Sequence, residues 1–541
     1  MAIGRYICVL ILGFTSLQGV SQDRYMIYFT DKSDSPFSVD RPEEYLSSRA
    51  IDRKVQYNIK IDESDLPVNP TYVDQLNQKG AQVYYTSRWM NAAIASADEN
   101  VINQIRSLPV VDSVAFVAKG NKLTQERTNY SLPDEFEPIK QTGPNTDMQL
   151  NLLNADQMHR EGYTGKGVVI AVLDGGFTSV NRFAPFEHLF TGQRLLDTYD
   201  FVTNSYDPFK YSSHGTAVLS TIAAKTQNFS GTAPGASFLI YVTEDVKSEF
   251  RIEECNWLIA AERADSVGVD IIHSSLGYST FNDEAMNYSY ADLDGETALI
   301  TQAANIATSK GIVVVTSAGN EGSSNWQYVT SPADAKGILT VGSITEEYQY
   351  STFSSIGPTA DGRIKPDVVA MGTGSTIITS SGIINRGNGT SYAAPMVAGL
   401  AAGVWEAKRD WNAKRVVDAI RYSASRATEP DSLFGYGVPG YKYAIEGSVL
   451  SMNDILSDKI TVYPNPFTDD RVFIQLNNAK VNYPLDLEVY DNRGSLLLTS
   501  QITSRPATDI IELEINAKEQ GIYLLRISSK RFSRQVKLLK Y

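Results

Sequence analysis

From about Leu152 onward the chain alternates between short unbroken apolar runs and longer stretches with helical spacing. Residues 168–173, 238–242, 271–272 and 312–315 are apolar at consecutive positions, and 338–341 are too except for Thr340, which predicts strands buried on both faces. Residues 216–224, 253–264 and 297–309 predict helices between them. Strands of this kind alternating with helices predict an α/β fold, a parallel sheet with helices on both faces, over residues 150–450. In such sheets ligands are held beyond the carboxyl ends of the strands.

The pattern differs on either side. Residues 22–118 predict a small α/β unit, with strands at 25–29, 83–85, 92–95 and 114–117, a helix starting within 42–50 and another over 99–108. It carries no cluster of reactive side chains and no His. Residues 119–149 mix Lys, Gln, Asn, Thr and Pro and read as a linker and processing region. Residues 456–541 turn to alternating strands at 460–463, 485–490, 510–513 and 522–527. Turn signals at Pro464-Asn465-Pro466 and Asn492-Arg493-Gly494 separate them, which predicts a small β-sandwich ending in a basic run through Lys530, Arg531, Arg534, Lys537 and Lys540.

Composition narrows the function. With 541 residues the chain exceeds one ordinary domain, and 42% hydrophobic with 20% charged residues marks it as globular. A net charge of −14 argues against nucleic acid or anionic lipid as the main partner. Residues 1–21 carry Arg5, an apolar run and then small residues, a secretory signal peptide with cleavage expected after Ser21. No other segment approaches the length of a membrane-crossing helix, so the product is expected to be secreted or held at the cell surface. Of the two cysteines, Cys8 falls in the leader, so Cys255 is expected to be a small core hydrophobe and no disulfide framework is available.

The chemistry centres on residues 387–402, where small flexible residues give way at Ser391 to a long run of small and apolar ones. This predicts a buried helix with Ser391 as its cap, Pro395 in its first turns, and Gly389 allowing another backbone to come close. A Ser at such a junction is ordinarily just a cap; it becomes a nucleophile only with a base, an orienting carboxylate and an oxyanion donor. Three further signals supply them. Strand 168–173 delivers Asp174, followed by Gly175-Gly176. His214, in Ser213-His214-Gly215-Thr216, opens a small-residue helix. Asn320 follows strand 312–315 in Ser317-Ala318-Gly319-Asn320. The other histidines read as bystanders: His159 on an amphipathic helix, His188 in a loop, His273 as a satisfied core imidazole. No pair has metal-ligand spacing.

The order Asp, His, Ser on one α/β sheet is that of subtilisin. With Val172-Leu173-Asp174-Gly175-Gly176, His214-Gly215-Thr216, Gly389-Thr390-Ser391-Tyr392-Ala393-Ala394-Pro395 and Lys365-Pro366-Asp367, the chain resembles the subtilisin-like (S8) serine peptidases over about residues 150–445. The resemblance implies a secreted endopeptidase with Asp174, His214 and Ser391 as triad and Asn320 as oxyanion donor. Ser275, Leu276 and Gly277 would form an edge for the substrate backbone. It implies protein or peptide substrates, no required cofactor, and a structural calcium of unassigned ligands, for which the acidic loop Asp292-Leu293-Asp294 is a candidate. It also makes residues 22–118 a pro-domain acting as intramolecular inhibitor. The tail, with Tyr463-Pro464-Asn465-Pro466-Phe467 and Gly521-Ile522-Tyr523-Leu524, resembles type IX secretion sorting domains, implying the secretion machinery as a partner. Two positions depart from the family. Gly175 offers no hydroxyl beside Asp174, which is the ground for an alternative, a catalytically inactive surface binding protein on the same fold. Tyr278 replaces a Gly and is expected to reshape the substrate cleft.

Overall fold

The computed structural model describes residues 22–120, 130–139, 144–447, 460–476, 483–516, 519–529 and 532–541. The signal peptide at 1–21, parts of the linker, and Lys530 and Arg531 lie outside the described residues.

Seven parallel strands form the central sheet, in the order Val368–Met371, Leu339–Ile344, Val313–Ser317, Ile271–Ser274, Val169–Asp174, Ser237–Val242, Leu195–Asp200. The unbroken apolar runs follow from burial on both faces. Along Val169–Asp174, Ile170 and Val172 point into a core shared with the helices His214–Ala223 and Thr390–Ala407. Val169, Ala171 and Leu173 point into a second core under the helices Ile252–Val267 and Leu299–Ser309. The next two strands in the chain, Leu195–Asp200 and Ser237–Val242, lie on one side of Val169–Asp174 and the four that follow them on the other. The order therefore reverses there, and the crevice at that reversal is where such sheets hold ligands.

Several elements differ from the sequence pattern. The outermost strand Leu195–Asp200 was not legible, because it is only partly covered and mixes polar with apolar residues. His188 lies on a helix, Ala184–Thr191, rather than in a loop; Pro185 sits in its first turn, where a missing amide proton costs nothing. The segment expected to open one helix within 42–50 is split into a short turn of helix at Pro42–Glu44 and a helix Ser48–Gln56, because the Ser47 hydroxyl accepts the amide of Ala50 and restarts the chain.

The N-terminal unit is a four-stranded antiparallel sheet ordered Gln82–Ser87, Ala92–Ala97, Asp23–Phe29, Val111–Ala118. Tyr25, Ile27 and Phe29 face its own helices, whereas Met26, with Trp89 and Ile94, joins the core under Ile252–Val267. Cys255 on that helix is buried, its sulfur 3.9 Å from that of Met26, as a core residue should be. The C-terminal residues form a three-stranded and a four-stranded antiparallel sheet. Between them Phe467, Ile474, Leu487, Leu525 and Leu538 make a separate core, consistent with a sandwich. Among the described residues no helix is long and apolar enough to cross a membrane.

Candidate active site

Asp174 ends its strand fully buried, and His214 opens the helix that packs beside it. The two backbones meet because position 215 is Gly: a Cβ there would lie 2.4 Å from the carbonyl oxygen of Gly176 and 3.0 Å from the Cβ of Asp174. His214 Nδ1 lies 2.9 and 3.0 Å from the two carboxylate oxygens of Asp174. The amide of Gly175 donates to Asp174 Oδ1 at 2.8 Å. The backbone thus gives this carboxylate a donor without a hydroxyl at position 175. Burial of the imidazole disfavours its charged form, but the charge and hydrogen bond of Asp174, aided by the charge of Glu244, outweigh that and raise the pKa of His214 above its ordinary value.

Ser391 lies across the same cleft, 7% exposed, with Asn320 beside it. The helix runs from Thr390 to Ala407 and its cap is Gly389, so Ser391 is in the first turn and not the cap. A Cβ on Gly389 would meet nothing closer than 3.7 Å; its φ of +156°, not crowding, calls for glycine there. Pro395 lies well inside the helix rather than at its start. Its missing N–H leaves the carbonyl of Ser391, four residues earlier, without its helical donor. The Ser275 hydroxyl replaces it, donating to that carbonyl at 3.0 Å. Ser275 in turn sits 3.0 Å from His273 Nε2, while His273 Nδ1 lies 3.2 Å from the carbonyl of Val315. Deep burial pulls the pKa of His273 down to about 3, so the ring is neutral and carries one proton; with the Ser275 hydroxyl donating to the Ser391 carbonyl, that proton sits on Nε2 and is donated to Ser275 Oγ.

Asn320 is held from behind. Its Oδ1 accepts from the amide of Thr390 at 2.9 Å and the hydroxyl of Thr390 at 3.0 Å, which assigns Oδ1 to that side and leaves Nδ2 to the cleft. Ser275, Leu276 and Gly277 form one wall. Asp174, His214, Ser391, Asn320, Ser275, Leu276 and Gly277 therefore all line one cleft of about 370 Å³.

Contrary to the expectation from sequence, the Tyr278 ring does not enter the cleft. It is 1% exposed and stacks on Phe281 at 6.0 Å, turned into the core rather than the cleft. It acts on the cleft only through its hydroxyl, which donates to Glu244. Glu244 and Glu249 line the cleft and were not anticipated; the rule that found Asp174 would have found Glu244, which lies just past the end of strand Ser237–Val242. The loop proposed for calcium uses its carboxylates internally. Asp292 accepts from the amide and hydroxyl of Ser289, both at 2.7 Å, and Asp294 from the amide and hydroxyl of Thr297, both at 2.8 Å.

Comparison with known proteins agrees with this architecture. The family described as "Subtilase family" matches residues 165–437, "Peptidase S8 propeptide domain, Bacteroidota" matches 24–131, and "Secretion system C-terminal sorting domain" matches 461–540. Subtilisin NAT of Bacillus subtilis subsp. natto and subtilisin E of Bacillus subtilis strain 168 are each 32% identical over 370 residues, covering 67% of this chain and 82% of theirs. The solved structure of MycP1 from Mycobacterium smegmatis is 21% identical, with a TM-score of 0.44 over 57% of this chain and 87% of that one. The sorting domain marks the protein for export to the cell surface or beyond. The protein is a member of the subtilase family, a subtilisin-like serine endopeptidase made with a propeptide and a secretion tail.

Proposed function

We propose that the chain hydrolyses peptide bonds through an Asp174–His214–Ser391 triad and an acyl-enzyme. The observation that carries this reading is the bonding of His214 Nδ1 to buried Asp174 in a cleft that Ser391 and Asn320 also line. With Nδ1 committed to the carboxylate, Nε2 is the nitrogen left to accept the Ser391 proton. Ser391 Oγ then attacks the scissile carbonyl. The resulting oxyanion is met by Asn320 Nδ2 and the amide of Ser391, which the first helical turn leaves without an intrahelical acceptor. His214 passes its proton to the leaving amine, and water repeats the sequence to free the acyl group. Substrates are proteins or peptides whose backbone extends along Ser275–Gly277. The N-terminal unit serves as an inhibitor that is cut away, and the C-terminal sandwich engages the secretion machinery. The Gly175 amide on Asp174 weighs against the inactive alternative. Fluorophosphonate labelling of the processed enzyme tests the assignment: an adduct on Ser391 that Ser391→Ala abolishes is expected, and a processed, folded enzyme that takes up no label refutes it.

A further inference from the structure

We propose that Glu244 and Glu249 form a subsite of this cleft that selects a Lys or Arg side chain in the substrate, with buried Glu253 behind them. The proposal rests on the catalytic reading above for its position in the cleft.

The three carboxylates offer oxygens that all lie within 4.8 Å of one another. Two of them, Glu244 and Glu249, line the cleft together with Asp174 and His214. Glu253 starts the helix behind them, is 1% exposed, and finds no hydrogen-bond donor for either carboxylate oxygen among the described residues. A buried carboxylate left unpaired is costly, and a cation brought close to the group relieves that cost. Burial and mutual repulsion favour the protonated carboxyls while the cluster is empty, so an entering Lys or Arg head takes the place of a proton. Burial, then Glu249, push Glu244 up to about 8, opposed by the Tyr278 hydroxyl; burial takes Glu249 to about 7; burial, then Glu244 and Glu249, take Glu253 to about 11. The pro-domain already places a guanidinium within electrostatic reach: Arg24, 5% exposed and unpartnered at Nε, feels the charges of Asp245 and Glu253.

The shape favours a long basic side chain over a metal ion. Val246 lines the same cleft at 56% exposure, an apolar wall for the aliphatic stem of Lys or Arg, whose head would reach the carboxylates. Calcium takes six to eight oxygens; the three carboxylates hold six between them, and one of those, on Glu244, already accepts from Tyr278.

The test uses the processed enzyme and a quenched peptide series in which each of the four positions before the scissile bond carries Arg, Gln or Glu. At one position Arg should exceed Gln by about tenfold or more in kcat/KM, the scale of one charge-assisted hydrogen bond. Glu249→Gln should bring that ratio towards one, and Glu249→Lys, a change in a partly exposed loop, should turn the preference to Glu. Equal rates for Arg and Gln at all four positions overturn the proposal, as does an Arg preference that Glu249→Lys leaves unchanged. So does a preference that disappears in chelator and returns with calcium, which assigns the cluster to a metal. Equilibrium affinities for the same peptides need no turnover. They read the subsite by the same ratios even if no peptide is cleaved, the outcome that would instead count against the triad.

Discussion

At the scale of single residues the proposed triad gives sharp expectations. Asp174→Asn keeps the volume but removes the charge that favours the imidazolium and the acceptor that fixes its tautomer. The rate should fall by about 10⁴, the size of the loss for the same change in a serine protease triad. Asn320→Ala removes the proposed oxyanion donor and should lower kcat by roughly 10²–10³ with little change in KM, as in the subtilisin example of that effect. Steady-state kinetics check both, and a loss in KM alone would remove Asn320 from the oxyanion site. The pH profile follows from the sign of the His214 shift. Its pKa is raised above the usual 6.5, and the base must be neutral to accept the Ser391 proton. The kcat/KM should therefore rise with pH through a midpoint above 6.5 and be lost below it. In Asp174→Asn the midpoint should move down, since burial then acts on the ring without the opposing charge.

At the scale of elements, the helix Thr390–Ala407 shows what the sequence reveals and what it hides. The run of small residues announces a buried helix, and the reason is packing: a Cβ on Gly399 would fall 1.8 Å from Thr232 Oγ1, and one on Gly403 2.0 Å from Met158 Sδ. Asp174, His214, Asn320 and Ser391 were legible because strand ends and helix starts lie beside apolar runs that need no partner to be recognised. Tyr278 was misjudged because a side chain at the edge of a strand can turn either way, and the choice depends on Phe281 and Glu244, which pattern alone does not bring near. The link from Ser275 to Ser391 was hidden for the same reason. That link makes its own prediction. In Ser275→Ala the buried Ser391 carbonyl loses its donor, at a cost of roughly 1–3 kcal/mol, and the nucleophile loses its brace. Pro395→Ala restores an amide proton four residues on, so the penalty of Ser275→Ala should shrink in that background. Denaturant unfolding of the four proteins of this cycle measures it, and additive losses would show that the hydroxyl and the missing amide are unconnected.

At the scale of the whole molecule, the N-terminal sheet covers the helix Ile252–Val267 through charge as well as apolar contact. Asp265 on that helix is fully buried and faces Arg53, Lys54 and Arg88 of the N-terminal unit, with Arg88 at 2.5 Å. Lys310, beyond the neighbouring helix, returns the exchange at 3.0 Å from Asp65. These groups have given up water for one another, so removing one leaves the others buried and uncompensated. Asp265→Asn leaves Arg53 and Arg88 without a carboxylate at the interface, while Lys54 keeps Asp65 at 3.1 Å, and should weaken inhibition by the pro-domain by the roughly 3–5 kcal/mol typical of a broken buried pair, about 10²–10³-fold or more in its inhibition constant. The mature enzyme, from which the pro-domain has gone, presents Asp265 to water on a face away from the catalytic groups, so its kcat/KM should hardly change. Titrating mature wild-type and Asp265→Asn enzymes with the same pro-domain separates the two effects. A shift in the inhibition constant below tenfold would mean that the apolar face of Met26, Trp89 and Ile94 holds the inhibitor and that the ions only set its register.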